Sequence, residues 1–375
     1  MAKSKSRGSE KPGKGEKPSV HASPALSAEI RELDHELVRL MQKRAALALE
    51  ASRQDAAQGP ALLPTPLDDE SLRRWTAESG GPLPHRSLRA VMREIQSGCR
   101  ALMRQPRISF LGPLYSFSHL AAIHHFGQSV EFVPVGTIAA VFEEVQRKQS
   151  DFGLVPVENS TDGRVADTLE MFARMRARVC GEIEFRIQHT LLGKCSRTEV
   201  REVYSKPQAL SQCRNWLAKH LPAARSIEVT STSTAAQLAG EKPGAAAIAS
   251  RQAGLHYGLE VLAENIEDNP NNTTRFAVIG DQLPPRTGHD QTAMLFQVDH
   301  RPGALADAMM VFKRGKLNLT WIESFPTPGT RGYLFFVQME GHQTDARLRR
   351  AVAALEKKTS RLEILGSFPA GAAVE

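Results

Sequence analysis

Between Arg107 and Thr234, short apolar runs end repeatedly in turns dense with hydroxyls and small residues, and each turn opens a helix. This junction constrains the fold more than any other feature of the chain. Ile108-Ser109-Phe110-Leu111 runs into Gly112-Pro113-Leu114-Tyr115-Ser116-Phe117-Ser118-His119. Phe152 to Val157 runs into Glu158-Asn159-Ser160-Thr161-Asp162-Gly163, and Ile227-Glu228-Val229 into Thr230-Ser231-Thr232-Ser233-Thr234 ahead of an alanine-rich helix. A strand that turns directly into a helix leaves backbone N–H groups and hydroxyls at the carboxyl edge of an open sheet, where small anions bind. Several such junctions of one chemical type imply one shared cleft. A further run, Asn269-Pro270-Asn271-Asn272-Thr273-Thr274-Arg275-Phe276, crowds two threonines and an arginine into a turn before the apolar strand Ala277-Val278-Ile279. Reversing a chain needs only one or two Asn, Gly or Pro residues, so the surplus reads as chemistry. A capped surface loop is the competing reading.

The flanking segments are patterned differently. After Ser23-Pro24, an N-cap with proline at N1, the residues Leu26, Ile30, Leu33, Leu37, Leu40 and Leu47 step by four and three and predict one long helix with a narrow apolar seam. Arg44 falls on that seam, where a guanidinium must snorkel or meet an anion. Thr65-Pro66 caps a short helix through Leu72 and Trp75, and a third helix carries Leu88, Val91, Met92, Ile95, Cys99 and Leu102 inward, so 23–104 reads as an all-α unit. At the other end, strand, helix and turn signals from Thr292 to Leu365 give the order βαββαβ, an α+β unit over 290–370.

A chain of 375 residues is long enough for two to four domains. Its net charge of +7 would point to nucleic acid if it were spread over a surface, but most of it sits on Lys3, Lys5, Arg7, Lys11, Lys14 and Lys17. That apolar-poor stretch, 1–22, reads as a disordered tail and lacks the core of a signal peptide. No window approaches the roughly 18 apolar residues of a membrane span. Cys99, Cys180, Cys195 and Cys213 show no C-x-x-C spacing. The expectation is a cytoplasmic protein with no structural zinc, no membrane and no nucleic-acid partner.

Taken together, Gly112-Pro113 with Ser116-Phe117-Ser118-His119, Val157-Glu158-Asn159-Ser160, Ser205-Lys206-Pro207-Gln208-Ala209, Ser233-Thr234-Ala235 and Thr274-Arg275-Phe276 resemble the motifs of prephenate dehydratase, in that family's order. The layout resembles the bifunctional chorismate mutase/prephenate dehydratases with a C-terminal ACT domain. The resemblance implies three bodies: a chorismate-mutase-like helical unit, a two-lobed α/β dehydratase domain over 106–282 akin to periplasmic-type binding folds, and a βαββαβ ACT domain. It implies conversion of prephenate to phenylpyruvate, carbon dioxide and water, with no cofactor and no metal. Thr274 is then the catalytic threonine that hydrogen-bonds the departing hydroxyl. Arg275 offers a planar fork to a carboxylate. Ser116, Asn159, Ser160, Ser233 and Thr234 are uncharged donors for the rest, although Ser160, Ser233 and Thr234 would serve equally as N-caps. Glu158 reads as orienting helix N-terminal amides, and His119 and His189 as structural. Tyr115 replaces the family's glycine and narrows the pocket, and Lys206 replaces its histidine.

The helical unit departs further from its family. Arg44 and Glu70 stand where a mutase site expects them, but Ser27, Asp55 and Asp69 stand where cations hold the dianionic substrate. The expectation is a degenerate unit that serves dimerisation. Gly303-Ala304-Leu305 and Glu323-Ser324 resemble the loops that enclose L-phenylalanine as effector, in a homodimer or homotetramer. Phe325 replaces the arginine usual there, which implies weaker feedback that Phe325→Arg would strengthen. Two rival readings remain at this point: the full bifunctional enzyme, and a non-catalytic amino-acid-sensing protein.

Overall fold

The computed structural model describes residues 24–56, 74, 75, 77, 78, 80–326 and 332–371. The basic tail at 1–22 and Glu70 lie outside the described residues, as does the helix expected from Thr65 through Leu72 and Trp75 up to residue 73; Trp75 is described as helical. The chain divides into two units, Met1–Ala57 and Gln58–Glu375. In the first, helix α1 (Pro24–Ala56) runs for 33 residues. Its seam of Leu26, Ile30, Leu33, Leu37, Leu40 and Leu47 is 50–57% exposed, so the apolar stripe read from the sequence has formed without being buried.

The second unit contains three sheets. Sheet A has the order β2-β1-β3-β11-β5, with the short β4 paired to β3. Its strands are β1 (Arg107–Leu111), β2 (Glu131–Val135), β3 (Phe152–Asn159), β4 (Gly163–Arg164), β5 (Val179–Arg186) and β11 (Thr273–Gly280). Sheet B has the order β10-β6-β9-β7-β8, from β6 (Thr190–Gly193), β7 (Glu202–Ser205), β8 (Arg225–Glu228), β9 (Ala245–Ala249) and β10 (Glu260–Ala263). The chain thus crosses from A to B after β5 and returns after β10. The two crossings lie side by side, with the amide of Ile187 donating to the Asn272 carbonyl (2.8 Å) and that of Ile266 to the His189 carbonyl (3.0 Å). This is the two-lobed α/β arrangement that the resemblance implies.

Sheet C is antiparallel, in the order β13-β14-β12-β15, and comprises β12 (Asp290–Gln297), β13 (Leu319–Pro326), β14 (Tyr333–Glu340) and β15 (Arg361–Pro369). Strand alternation gives it two apolar faces. Met294, Phe296, Val337 and Met339 face the helices Ala304–Gly315 and Ala346–Glu356. Leu295, Trp321, Phe325, Phe336 and Phe368 share one cluster with Phe142, Leu169 and Phe172 from helices of the first lobe. Contact extends to the backbone: a Cβ on Gly366, whose φ is +154°, would lie 2.1 Å from the Val179 carbonyl oxygen. Only glycine fits there.

Helix α2 (His85–Met103) packs on the first lobe through buried Ser97, Cys99 and Arg100. Arg100 Nη2 donates to the Phe126 carbonyl at 2.7 Å, and the Ser129 amide to Ser97 Oγ at 3.1 Å. The boundary expected at 104–106 is therefore a packed seam. Val91 and Leu102, expected inward, are 56% and 59% exposed. Gly127 caps the facing helix at φ +77°, and a Cβ there would meet Ser97 Cβ at 2.4 Å.

The facing helix, Phe117–Phe126, buries imidazoles. Burial pushes His119 down to about 4. His124 falls to about 4 through burial, then the nearby Arg93 and Arg89, and His125 to about 3 through burial, then Arg100 and His124. The unfolded chain binds these protons near pH 6.5 and the folded chain does not. The stability from keeping them neutral is therefore complete above pH 6.5 and is lost as pH falls through the folded values. The denaturant midpoint should fall steadily from pH 6.5 toward about 4, and His125→Leu should make that slope shallower. A flat midpoint across the window would contradict the burial of these rings.

Candidate active site

Strand β11 runs antiparallel to β3, which brings the start of β11 to the carboxyl end of β3. In register, Thr274 faces Asn159 and Arg275 faces Glu158. Thr274 is buried, 8% exposed. Asn159 Nδ2 donates to Thr274 Oγ1 at 2.8 Å. The orientation of that amide is fixed from its other side, because Asn159 Oδ1 accepts the backbone N–H groups of Thr161 (2.9 Å) and Asp162 (3.0 Å). An oxygen receiving two N–H donors leaves the nitrogen as the only partner for Thr274.

Gln212, which the sequence did not mark, and Asn272 of the polar run complete this network. Gln212 Nε2 donates to Asp162 Oδ2 at 2.9 Å, and its Oε1 accepts from Asn272 Nδ2 at 3.0 Å and pairs with His189 Nε2 at 2.8 Å. Asn272 Oδ1 accepts from Asn159 Nδ2 at 3.0 Å. Gln212 is 9% exposed at the end of helix Pro207–Gln212, beside buried Ala209 and Leu210. A glutamine among core positions of a helix is the only sequence signal it gives. His189, on the crossing from sheet A to sheet B, has its pKa lowered by burial, with Gln212 opposing. Since Gln212 Oε1 only accepts, His189 Nε2 carries the hydrogen. Its ring meets that of Phe117 edge-on at 5.4 Å, tying the network to the junction after β1.

That junction is built by caps. Ser116 caps helix Phe117–Phe126 by accepting the His119 amide, and its hydroxyl donates to the Leu111 carbonyl at 3.3 Å. Tyr115 has φ +63°, the left-handed backbone that glycine adopts freely. Its ring stacks on His256 at 4.2 Å, its amide donates to His119 Nδ1 at 3.0 Å, and its carbonyl accepts from Ser250 Oγ at 2.9 Å. Ser233, fully buried, donates to the Leu114 carbonyl at 2.6 Å, so its hydroxyl braces the two lobes and is not a free donor. The cap of helix Thr232–Glu241 is Ser231, which accepts the Thr234 amide and bonds Thr234 Oγ1 at 2.8 Å. Ser160 Oγ holds the turn opposite, accepting the Thr273 amide at 2.9 Å.

The reading of Arg275 needs correction. Successive strand residues face opposite sides of a sheet, so Arg275 points away from Thr274 and no substrate fork is available. Its Nε donates to Glu182 Oε1 (2.9 Å), Nη1 to Glu158 Oε2 (2.8 Å) and Nη2 to Gln338 Oε1 (2.7 Å). Burial works to lower its pKa, but Glu182 and Glu158 raise it overall. Glu158 is likewise engaged with Arg275 and not with helix amides. Among the described residues no three His, Cys, Asp or Glu side chains converge as a metal site.

In the C-terminal unit Gly303 has φ +81° and caps helix Ala304–Gly315, Leu305 is 37% exposed, and Ser324 is exposed on the edge strand β13. Ala304 is buried, and Glu323 accepts from Arg164 Nη1 at 3.1 Å. Phe325, expected beside an effector, is 5% exposed in the cluster that joins sheet C to the first lobe.

A two-lobed α/β body with a polar threonine site beside its crossings defines the class. The chain matches the family model for prephenate dehydratase over 108–283 and that for chorismate mutase type II over 26–104. It is 41% identical over 353 residues to the bifunctional chorismate mutase/prephenate dehydratase of Aquifex aeolicus, covering 92% of this chain and 97% of that one. The corresponding protein of Stutzerimonas stutzeri is 38% identical over the same shares. The solved prephenate dehydratase of Arthrobacter aurescens in complex with L-Phe superposes with a TM-score of 0.66 at 32% identity, covering 70% of this chain and 90% of that one. The chain belongs to the bifunctional chorismate mutase/prephenate dehydratase family.

The burial of Phe325 reverses the expectation for its substitution. Phe325→Arg should place an unpaired cation in an apolar cluster and lower stability by about 3 kcal/mol or more. The measurement is the denaturant midpoint; a folded Phe325→Arg protein of unchanged stability would contradict it.

Proposed function

We propose that Thr274, oriented by Asn159, assists loss of the ring hydroxyl of prephenate while the ring carboxylate leaves as carbon dioxide. The observation that carries this is the direction of the 2.8 Å bond: Asn159 donates to Thr274 Oγ1. With Asn159 donating into one of its two lone pairs, the threonine still has its own hydrogen to donate, and the departing hydroxyl is the acceptor. The electron pair of the breaking carbon–carboxylate bond moves into the ring, the hydroxyl leaves with one proton from solvent as water, and phenylpyruvate remains. Aromatisation drives the step, so a neutral hydroxyl of low acidity suffices when it is positioned in advance. Thr234, in the first turn of helix Thr232–Glu241, is the uncharged donor for a substrate carboxylate, together with the helix amides, while Ser116, whose hydroxyl hydrogen goes to the Leu111 carbonyl, shapes the junction as its cap. Removal of one positioned donor costs about 10²-fold in rate. Thr274→Val should therefore lower kcat for phenylpyruvate formation by about that factor without unfolding the protein, and undiminished turnover by a folded variant would remove Thr274 from the mechanism.

The βαββαβ unit is best read as an ACT domain, with Gly303, Ala304, Leu305, Glu323 and Ser324 forming an L-phenylalanine site. The support is the sheet order β13-β14-β12-β15 with both helices packed on one face, and the L-Phe complex of the Arthrobacter relative. The exposed seam of α1 favours assembly with a second copy, as homodimer or homotetramer. The 23–104 segment is read as a mutase fold that has lost its cations, since Ser27, Asp55 and Asp69 do not attract a dianion and Asp55 and Asp69 repel one. Chorismate should persist when the protein is added alone. Consumption of chorismate that Arg44→Ala abolishes would establish the bifunctional alternative.

A further inference from the structure

The underside of the catalytic strand pair is occupied by the C-terminal unit. Thr274 and Asn159 face one side of sheet A; Arg275 and Glu158, their immediate neighbours in sequence and each other's partners in register, face the other. Glu158 also pairs in register with Arg164 of β4, so three adjacent strands carry an Arg-Glu-Arg row directly behind the Thr274-Asn159 pair. Both arginines end on sheet C. Arg275 donates to Gln338 of β14 at 2.7 Å and lies over the ring of Trp321 of β13 at 4.9 Å. Arg164 donates to Glu323 at 3.1 Å and to the Ser324 carbonyl at 2.7 Å.

The Arg275 contact is the built one. Its side chain is 21% exposed, and Gln338 is 2% exposed. Besides accepting from Arg275, the Gln338 amide donates to Glu182 and to Gln291. The cluster therefore holds one cation, two carboxylates and two amides, of which Gln338 both receives from the cation and gives to a carboxylate. Networks this connected are rigid when complete, and removing one member strands the others. Arg275 sits on the strand that carries Thr274, and Glu158 on the strand that carries Asn159, so the network ties both strands to sheet C. The register of β11 on β3 shifts between Arg275 and Phe276, so the ladder itself is weakest at this point and side-chain bonds carry more of the load.

We propose that Gln338 is a positioning residue for dehydration: the C-terminal unit fixes Thr274 from behind, through Arg275. The proposal rests on the dehydratase reading of Thr274 and is independent of any effector. The C-terminal unit is then part of the catalytic apparatus.

The test is steady-state turnover of prephenate by the full chain carrying Gln338→Leu, alone and combined with Thr274→Ala. An ångström of misplacement costs up to about a hundred-fold, so a partial release should lower kcat about ten-fold and leave KM within about three-fold. In the Thr274→Ala background, where nothing remains to be positioned, the same substitution should cost less than about two-fold. An equal loss in both backgrounds would mean a merely structural role and overturns the proposal, as does an unchanged kcat or a rise in KM alone. If Gln338→Leu does not fold, Gln338→Asn, which withdraws the amide by one methylene and stays polar, is read in the same two backgrounds. Absence of turnover by the parent protein removes the dehydratase reading and the proposal with it, whereas an active parent with additive variants removes the proposal alone.

Discussion

The antiparallel return of β11 along β3 is the constraint on which the rest of the molecule depends. It does three things at once. It closes sheet A after the excursion through the second lobe, it brings residues 115 positions apart into contact as Thr274 and Asn159, and it sets which side chains share a face. The last follows from the period of a strand alone. Once Thr274 faces the crossings between the lobes, Arg275 must face the opposite side, where the C-terminal sheet meets it with Gln338 and Trp321. Cleft chemistry and interdomain packing are thus two faces of one ladder.

Sheet C is correspondingly not a loosely tethered appendage. Its helix-free face shares an apolar cluster with the helices Ile138–Gln146 and Ala166–Arg174 of the first lobe. Gly366 lets the two backbones approach where any side chain would collide. An α+β unit of this kind normally leaves one sheet face open, and here that face is filled by Trp321, Phe325, Phe336 and Phe368. Apolar burial supplies the adhesion, and the Arg275 and Arg164 bonds fix the register of the contact.

Much of the fold was legible because it rests on local signals: turn residues at strand ends, period-two alternation, and the step of four and three in α1. Asn159 and Thr274 were legible too, being polar residues at strand mouths with more functionality than a turn requires. What sequence reasoning misassigned was direction. Arg275 was read by its proximity to Thr274, although adjacent strand residues diverge by construction. Ser233 was read by its hydroxyl, whose partner is a backbone carbonyl 119 residues away. Gln212 and the use of Asn272 were invisible for the same reason, since their partners come from segments distant in the chain. Phe325 was placed by its motif, while its environment was decided by packing against helices more than 150 residues earlier.

The outward turn of Arg275 also has a chemical logic. Decarboxylation disperses the charge of a carboxylate into a ring that is losing its hydroxyl, so the ring carboxylate carries less charge in the transition state than in the bound substrate. A guanidinium locked on that group would stabilise the ground state more than the transition state and slow the step. Neutral donors such as the hydroxyls and amides at the helix ends hold an anion more weakly and lose less as its charge drains away. The arginine beside Thr274 stands behind the strand, where a permanent charge fixes geometry, and not in front of it, where the charge it would bind has to disappear.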